Sequence, residues 1–136
     1  MLERLRQVAM MVKDLEEGRE LYQRALGLEV CHSQDLSQYG LTNMVLPTGN
    51  GTFVELLQPT SAGSLGARFL SRRGEAPYLL VFETKDYDRL IPLLKSLGVR
   101  ITGETEHEHQ RSAFIHPASA NGTFMQIIET NATGNP

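Results

Sequence analysis

Glutamate and histidine alternate in the segment Glu106-His107-Glu108-His109. If this segment were a strand, both imidazoles would lie on one face, where they could bind a metal ion or exchange protons near neutral pH. It lies between predicted strands among polar residues, which favours the alternative of a solvated hairpin tip.

Two further sets of side chains could contact a ligand. His116 lies at the end of a predicted strand, where ligand contact and ordinary packing are the alternatives. Arg68, Arg72 and Arg73 form a basic cluster beside Phe69 that could bind a phosphate or carboxylate group. The alternative for this cluster is a solvated helix face.

The sequence lacks the residues needed for several other kinds of site. The single cysteine, Cys31, excludes an intramolecular disulfide and a cysteine metal cluster, and we expect it to be a small apolar filler in a strand. No segment resembles a nucleophile elbow or a phosphate-binding glycine loop.

The strongest pattern is an internal repeat. Asn50-Gly51-Thr52-Phe53-Val54-Glu55-Leu56-Leu57-Gln58 returns 71 residues later as Asn121-Gly122-Thr123-Phe124-Met125-Gln126-Ile127-Ile128-Glu129. Two shorter blocks match in the same order at nearly the same spacing, Val12-Lys13-Asp14-Leu15 with Thr84-Lys85-Asp86-Tyr87 and Ala25-Leu26-Gly27-Leu28 with Ser96-Leu97-Gly98-Val99. The chain is therefore an internal duplication.

The residue pattern of each copy predicts a strand, then a helix, then three further strands. In the first copy Asp14 and Glu17 form a capping box, the buried helix stripe includes Ala25 and Leu26, and Leu28–Ser33 is the second strand. Gly18 weakens this helix unless something packs closely against it. Asn-Gly pairs predict tight turns before the last strand of each copy.

These elements predict an α+β chain of 1–136 as a single domain. The first module covers about 4–58, a connector with a short helix covers 59–77, and the second module covers about 78–130. The tail, 131–136, is predicted to fray.

The composition of the chain indicates which classes of binding partner to expect. With 16 acidic and 13 basic residues, the net charge of −3 gives no reason to expect nucleic acid or an anionic membrane. Apolar runs are strand-sized, and the amino terminus has no export signal, so we expect a cytoplasmic protein.

The duplicated βαβββ unit, with Val-Lys-Asp-Leu after the first strand and Glu-Leu-Leu-Gln-Pro at the fourth, resembles the vicinal oxygen chelate superfamily. This group holds glyoxalases, methylmalonyl-CoA epimerases, extradiol dioxygenases and the bleomycin resistance proteins. Ile115-His116-Pro117 is similar to the epimerase-like branch. The resemblance implies two tandem βαβββ modules forming a cupped eight-stranded mixed sheet around a cleft, and a homodimer.

The resemblance also implies four metal-ligand positions, at Gln7, Glu55, Leu79 and Gln126, where the family pattern has His, Glu or Gln, His and Glu. Leu79 cannot bind metal, and the two amides are weak ligands for divalent transition metals. We therefore expect no tightly bound metal or other cofactor. The alternative is a weakly held divalent ion completed by waters or by ligand oxygens.

Three functions remain open. The first is an isomerase or lyase acting next to a carbonyl, on an acyl-CoA or an α-hydroxy/keto compound, with Glu55 as acid/base residue and Gln7, Gln126 and His116 orienting the substrate oxygen. The second is a metal-free protein that binds an organic ligand, as in the bleomycin resistance branch. The third is a structural partner with a closed cleft. For the second, the expected apolar lining is Phe53, Leu57, Leu79, Phe124 and Ile128.

Overall fold

A computed structural model describes residues 1–130, and the predicted tail, 131–136, lies outside the described residues. The described part contains eight strands and three α-helices. In chain order they are β1 (Leu2–Met11), α1 (Leu15–Arg19), β2 (Asp35–Leu36), β3 (Leu41–Gly49), β4 (Thr52–Pro59), α2 (Leu65–Arg73), β5 (Ala76–Thr84), α3 (Tyr87–Ser96), β6 (Ile101–His107), β7 (Gln110–Ile115) and β8 (Phe124–Glu129).

The chain divides into two compact units. The first unit is Gln7–Tyr78, and the second unit is Met1–Arg6 together with the chain from Leu79 onward. Within residues 1–130, no helix has the length and apolar character needed to cross a membrane.

Four strands of the first unit pair in the order β2-β3-β4-β1. β1 and β4 are parallel, whereas β3 is antiparallel to both of its neighbours. β3 and β4 are joined by the predicted Asn-Gly turn, in which Asn50 and Gly51 have φ of 54° and 73°. Such positive φ values at two successive residues are typical of the hairpin turn that Asn-Gly favours.

The second unit repeats this plan with the strand order β5-β8-β7-β6. β5 and β8 are parallel, and the other two pairs are antiparallel. The α+β class, the two βαβββ modules and the eight strands of a mixed sheet are therefore confirmed.

The pairing register shows the duplication directly. Gln7 pairs with Phe53 in the first unit, as Leu79 pairs with Phe124 in the second. Two residues further along β4 and β8 lie Glu55 and Gln126. The sequence repeat thus places equivalent residues at equivalent positions of the two modules.

The first unit buries one sheet face under α1 and the π-helix that continues it, Glu20–Ala25. Asp14 caps α1 by accepting hydrogen bonds from the backbone N–H groups of Glu16 and Glu17. A Cβ on Gly18 would lie 2.8 Å from Leu56 Cδ1, so this glycine permits close helix–sheet packing. The core on this face is Val12, Met44, Leu46 and Leu56, with Leu15, Tyr22 and Leu28 packed against it.

α2 is the predicted connector helix. Ser64 caps it by accepting from the N–H of Ala67, and Gly74, with φ of 75°, ends it. The helix begins at Leu65 and brings Gly66 against Met11, which lies on β1 on the face opposite to Leu56. A Cβ on Gly66 would lie 2.9 Å from Met11 Cε and from Leu41 Cδ2.

In the second unit, α3 covers one face of the sheet. Its core is Tyr87, Leu90, Ile91, Ala113 and Ile127. Arg111 lies over the Tyr87 ring, 4.7 Å from its centroid, and forms ion pairs with Asp88 and Glu129. On the opposite face of these strands, Val81 is also buried, with 3 % of its surface exposed.

Two local predictions are wrong. Leu28–Ser33 is not a strand, because only His32 forms an isolated bridge, with Val45, and the paired segment is Asp35–Leu36. Ala25 and Leu26 are exposed rather than buried. The reason is the π-helix, whose hydrogen bond from Leu26 N to Leu21 O spans five residues and turns these side chains away from the core.

Candidate functional site

Glu55 is a buried carboxylate on the sheet face opposite to α1. Side chains alternate between faces along a strand, so Leu56 packs under α1 while Glu55 projects to the other side. Glu55 is only 7 % exposed, and Leu57 on the same face is 4 % exposed. The carboxylate therefore lies in a desolvated, mostly apolar setting.

Two amides hold this carboxylate from different strands. Gln7 Nε2 donates to Glu55 Oε1 at 2.8 Å, and Asn43 Nδ2 donates to Oε2 at 2.6 Å. Asn43 is 1 % exposed, and its Oδ1 accepts from the backbone N–H of Gln34 at 2.7 Å. Because that N–H takes the amide oxygen, the amide nitrogen must face Glu55. The structure thus brings together Gln7 and Glu55, two of the four family positions.

Burial raises the pKa of Glu55 above its ordinary value. The hydrogen bonds from Asn43 and Gln7 and the positive charge of His32 act in the opposite direction, because they favour the ionised form. A carboxyl group with a raised pKa that remains well oriented can both accept and release a proton.

His32 and Cys31 lie beyond Val45, the partner of Glu55 across β3 and β4. His32 bridges Val45, and Val45 pairs with Glu55. Cys31 Sγ lies 2.9 Å from His32 Nδ1. The thiol is exposed, so the prediction that it fills a strand interior is wrong.

The second unit positions the remaining predicted residues. Leu79 and Phe124 are paired across β5 and β8, and Gln126 pairs with Phe114 of β7. His116 caps a short 3₁₀ helix, with its Nδ1 accepting from the N–H of Ala118 at 3.0 Å. Ligand contact by these four residues stays a prediction, as does a single site shared with Gln7 and Glu55.

The donor set does not fit a tightly bound divalent metal. Of the four family positions only Glu55 is charged, and Leu79 has no donor atom. Both oxygens of Glu55 already accept amide hydrogen bonds, and Gln7 directs its amide nitrogen at the carboxylate. Throughout residues 1–130, no three His, Cys, Asp or Glu side chains are grouped to hold an ion.

The other candidates lie on the β6–β7 hairpin and on α2. His107 and Gln110 close the β6–β7 hairpin, with Glu108 and His109 at φ of 50° and 65°, so the solvated hairpin tip is confirmed. Of the arginine cluster, Arg68 donates to the carbonyl of Gly63, and Arg73 lies over Phe69.

Sequence reasoning missed Asn43 and His32. Asn43 precedes the apolar run Met44-Val45-Leu46, and a buried amide in such a strand is a usable signal of a polar partner. His32 gave no comparable signal, because its position depends on strand pairing.

Residues 6–115 match the family described as the Glyoxalase/Bleomycin resistance protein/Dioxygenase superfamily. This chain belongs to that superfamily. The resemblance to the vicinal oxygen chelate group is thereby confirmed.

Relatives within the superfamily are epimerases by name. The ethylmalonyl-CoA/methylmalonyl-CoA epimerase of Cereibacter sphaeroides is 33 % identical, over 93 % of this chain and 98 % of its own length. The mitochondrial methylmalonyl-CoA epimerase of Bos taurus is 30 % identical, over 93 % of this chain and 74 % of its own length.

Solved structures of the superfamily share the fold. Methylmalonyl-CoA epimerase from Mycobacterium tuberculosis matches with a TM-score of 0.80 and 28 % identity, over 95 % of this chain and 89 % of that one. A variant of the Streptomyces coelicolor methylmalonyl-CoA epimerase, in complex with 2-nitronate-propionyl-CoA, matches with a TM-score of 0.82 and 25 % identity over the whole of both chains.

Proposed function

We propose that this chain is an isomerase that inverts the carbon next to the thioester carbonyl of an acyl-CoA, with methylmalonyl-CoA and ethylmalonyl-CoA as the first candidate substrates. The relative named for both substrates supports this, since it is 33 % identical over 93 % of the chain. Within the molecule, the observation that carries the proposal is the buried carboxylate of Glu55, held by Gln7 and Asn43.

Glu55 is the proposed acid/base residue. In these substrates the reacting carbon bears one hydrogen and lies between a thioester and a carboxylate, so its C–H bond is unusually acidic. The C–H bond breaks, the proton passes to a Glu55 oxygen, and the electron pair moves onto the thioester oxygen as an enolate. Protonation of the opposite face of the carbon then gives the epimer.

The surroundings of Glu55 suit this task. Burial raises its pKa, and a general base is most effective when its pKa approaches the working pH. Gln7 and Asn43 fix the orientation of the carboxylate, so less entropy is lost when it is aligned with the substrate C–H bond. Each oxygen keeps a second lone pair for the substrate proton.

The ligand contacts remain those that the resemblance implies. We propose that amide and imidazole groups orient the enolate oxygen and that apolar side chains pack on the acyl group, without a tightly bound metal. The polar contacts are Gln7, Gln126 and His116, and the apolar contacts are Phe53, Leu79 and Phe124. The homodimer and the cytoplasmic location stay predictions.

A second candidate function is metal-free ligand binding without turnover. It is favoured by the neutral amides at two family ligand positions and by Leu79 at a third. It is also favoured by the closed hydrogen bonding of the Glu55 carboxylate. In that case the same residues would hold an acyl-CoA or another organic ligand unchanged.

The substitution Glu55→Gln separates these functions, because it removes the base and keeps the shape. Epimerisation of methylmalonyl-CoA, followed by chiral analysis of the product, should fall at least about 100-fold. Binding of the same acyl-CoA, measured by calorimetry, should change by no more than about threefold, since only a proton acceptor is lost.

Glu106→Gln is the matched control, because Glu106 is exposed on β6, and it should behave as wild type in both measurements. Wild-type turnover in Glu55→Gln would refute the role of Glu55. A wild-type protein that binds the acyl-CoA without converting it would support the second function instead.

A further inference from the structure

Cys31 and His32 form a β-bulge opposite Val45. The N–H of Cys31 donates to the carbonyl of Val45 at 2.8 Å, and the N–H of Val45 donates to the carbonyl of His32 at 3.0 Å. Two consecutive residues therefore oppose one residue of β3, which is the defining feature of a bulge.

The bulge turns both side chains to the same side. Neighbouring residues of a regular strand point to opposite faces, yet Cys31 Sγ and His32 Nδ1 lie only 2.9 Å apart. Since His32 bridges Val45, its side chain lies on the Val45 face. The thiol contacts Nδ1, which leaves Nε2 for a substrate.

Glu55 lies on this same face. Val45 and Glu55 are direct partners across β3 and β4, and direct partners share a face. His32 and Glu55 are therefore separated by two strand spacings, roughly 10 Å between backbones, and their side chains can approach a small group between them. A positive charge on His32 favours the ionised form of Glu55 and so acts against the rise in its pKa that burial causes.

Inversion needs proton exchange on two opposite faces of the reacting carbon. Both oxygens of Glu55 are held by amides, so this carboxylate is fixed on one side. Histidine is the side chain that most readily gains and loses a proton near neutral pH. We propose that His32 is the second acid/base residue of the site and serves the substrate face opposite to that of Glu55, an assignment that rests on the proposed isomerase function.

The proton balance is complete. In one direction Glu55 removes the proton, the enolate forms, and the imidazolium of His32 protonates the other face, leaving a protonated Glu55 and a neutral His32. In the reverse direction the roles exchange. His32 is exposed, so solvent can restore its starting protonation state before the next turnover.

The test is deuterium incorporation from D2O into each epimer of methylmalonyl-CoA, with His32→Gln and Glu55→Gln. His32→Gln should lose epimerisation at least about 100-fold, while one epimer still exchanges its proton within about threefold of the wild-type rate. Glu55→Gln should show the mirror image, with exchange confined to the other epimer. A merely structural role for His32 would not produce this split between epimers.

His107→Gln is the control, because His107 is a histidine on the exposed hairpin, and it should exchange both epimers normally. Circular dichroism and thermal unfolding check that each variant is folded. Normal epimerisation by His32→Gln, or equal loss of exchange from both epimers, would overturn the assignment and leave the isomerase function standing. Wild-type protein that exchanges neither epimer, measured against an enzyme-free blank, would overturn both.

Discussion

At the scale of single residues, the central feature of the site is the Glu55 carboxylate, which is buried away from water. A buried carboxylate is costly unless hydrogen bonds replace its lost water, and here Gln7 and Asn43 supply one donor to each oxygen. Asn43 is in turn fixed by the N–H of Gln34. These bonds offset only part of the cost, since burial still raises the pKa of Glu55.

This raised pKa predicts the sign of a stability change with pH. Because the folded state holds the Glu55 proton more tightly than the unfolded state, the contribution of Glu55 to stability is greatest below the ordinary value of 4.5 and falls as pH rises through the folded pKa. Glu55→Gln removes this fall. Its free energy of unfolding relative to wild type should therefore increase with pH across that window and then level off.

Urea unfolding at a series of pH values measures this difference. Subtracting the two proteins cancels other groups such as Asp88, whose pKa is lowered by Arg111 and which appears in both proteins. Glu106→Gln should show no such trend. A relative stability of Glu55→Gln that decreases with pH would contradict the raised pKa.

At the scale of elements, turns and caps are predicted correctly, whereas the strand predicted at Leu28–Ser33 and the features that depend on strand register are not. The Asn-Gly turn, the Asp14 cap and the glycine that ends α2 depend on a few adjacent residues, so the sequence sufficed. The positions of Gln7 and Glu55 followed from the resemblance, but the hydrogen bond between them did not. The bulge at Cys31 and the contact of Asn43 with Glu55 depend on which strands pair and in which register, so local sequence signals do not predict them.

α2 offers a test of packing on the site-bearing side of the first sheet. Gly66→Ala would place a Cβ 2.9 Å from Met11 Cε and Leu41 Cδ2, and 3.2 Å from Met11 Sδ. Met11 is fully buried, so these atoms have little room to move. We expect a loss of about 1–3 kcal/mol in unfolding free energy, although alanine is the better helix former.

The matched control is Gly63→Ala in the loop before α2, where a Cβ would meet nothing within 4 Å. Urea unfolding should show a lower midpoint for Gly66→Ala at an unchanged slope, and little change for the control. Equal stability of the two variants would mean that α2 adjusts its position freely.

At the scale of the whole molecule, two copies of one plan have kept the same strand register while their side chains have diverged. Gln7 and Glu55 of one copy correspond to Leu79 and Gln126 of the other. Together these positions supply one carboxylate, two neutral amides and one alkyl group, where the family pattern has four ligands.

We therefore expect divalent ions to leave the stability of the whole chain unchanged. An ion present at 100 times its dissociation constant stabilises a folded protein by about 2.7 kcal/mol, which corresponds to several degrees for a chain of this size. After chelator treatment, Zn²⁺, Mn²⁺, Co²⁺ and Mg²⁺ should each shift the melting temperature by less than about 1 °C.

Elemental analysis of protein purified without chelator provides the independent check. Substoichiometric metal is the expected result, and one ion per chain, lost together with stability on chelation, would contradict it. Glu55→Gln serves as a further comparison, since an ion at this position would be weakened by loss of the carboxylate.

The bulge at Cys31 and His32 makes the orientation of the His32 side chain depend on the length of the segment before β3. Shortening the segment before β3 by one residue there would restore regular alternation and rotate one of the two side chains toward α1. A single-codon deletion could in this way withdraw an imidazole from Glu55 without altering any strand core. Under the proposed role of His32, a one-residue gap at this point between members of this superfamily would matter as much as a substitution of the histidine.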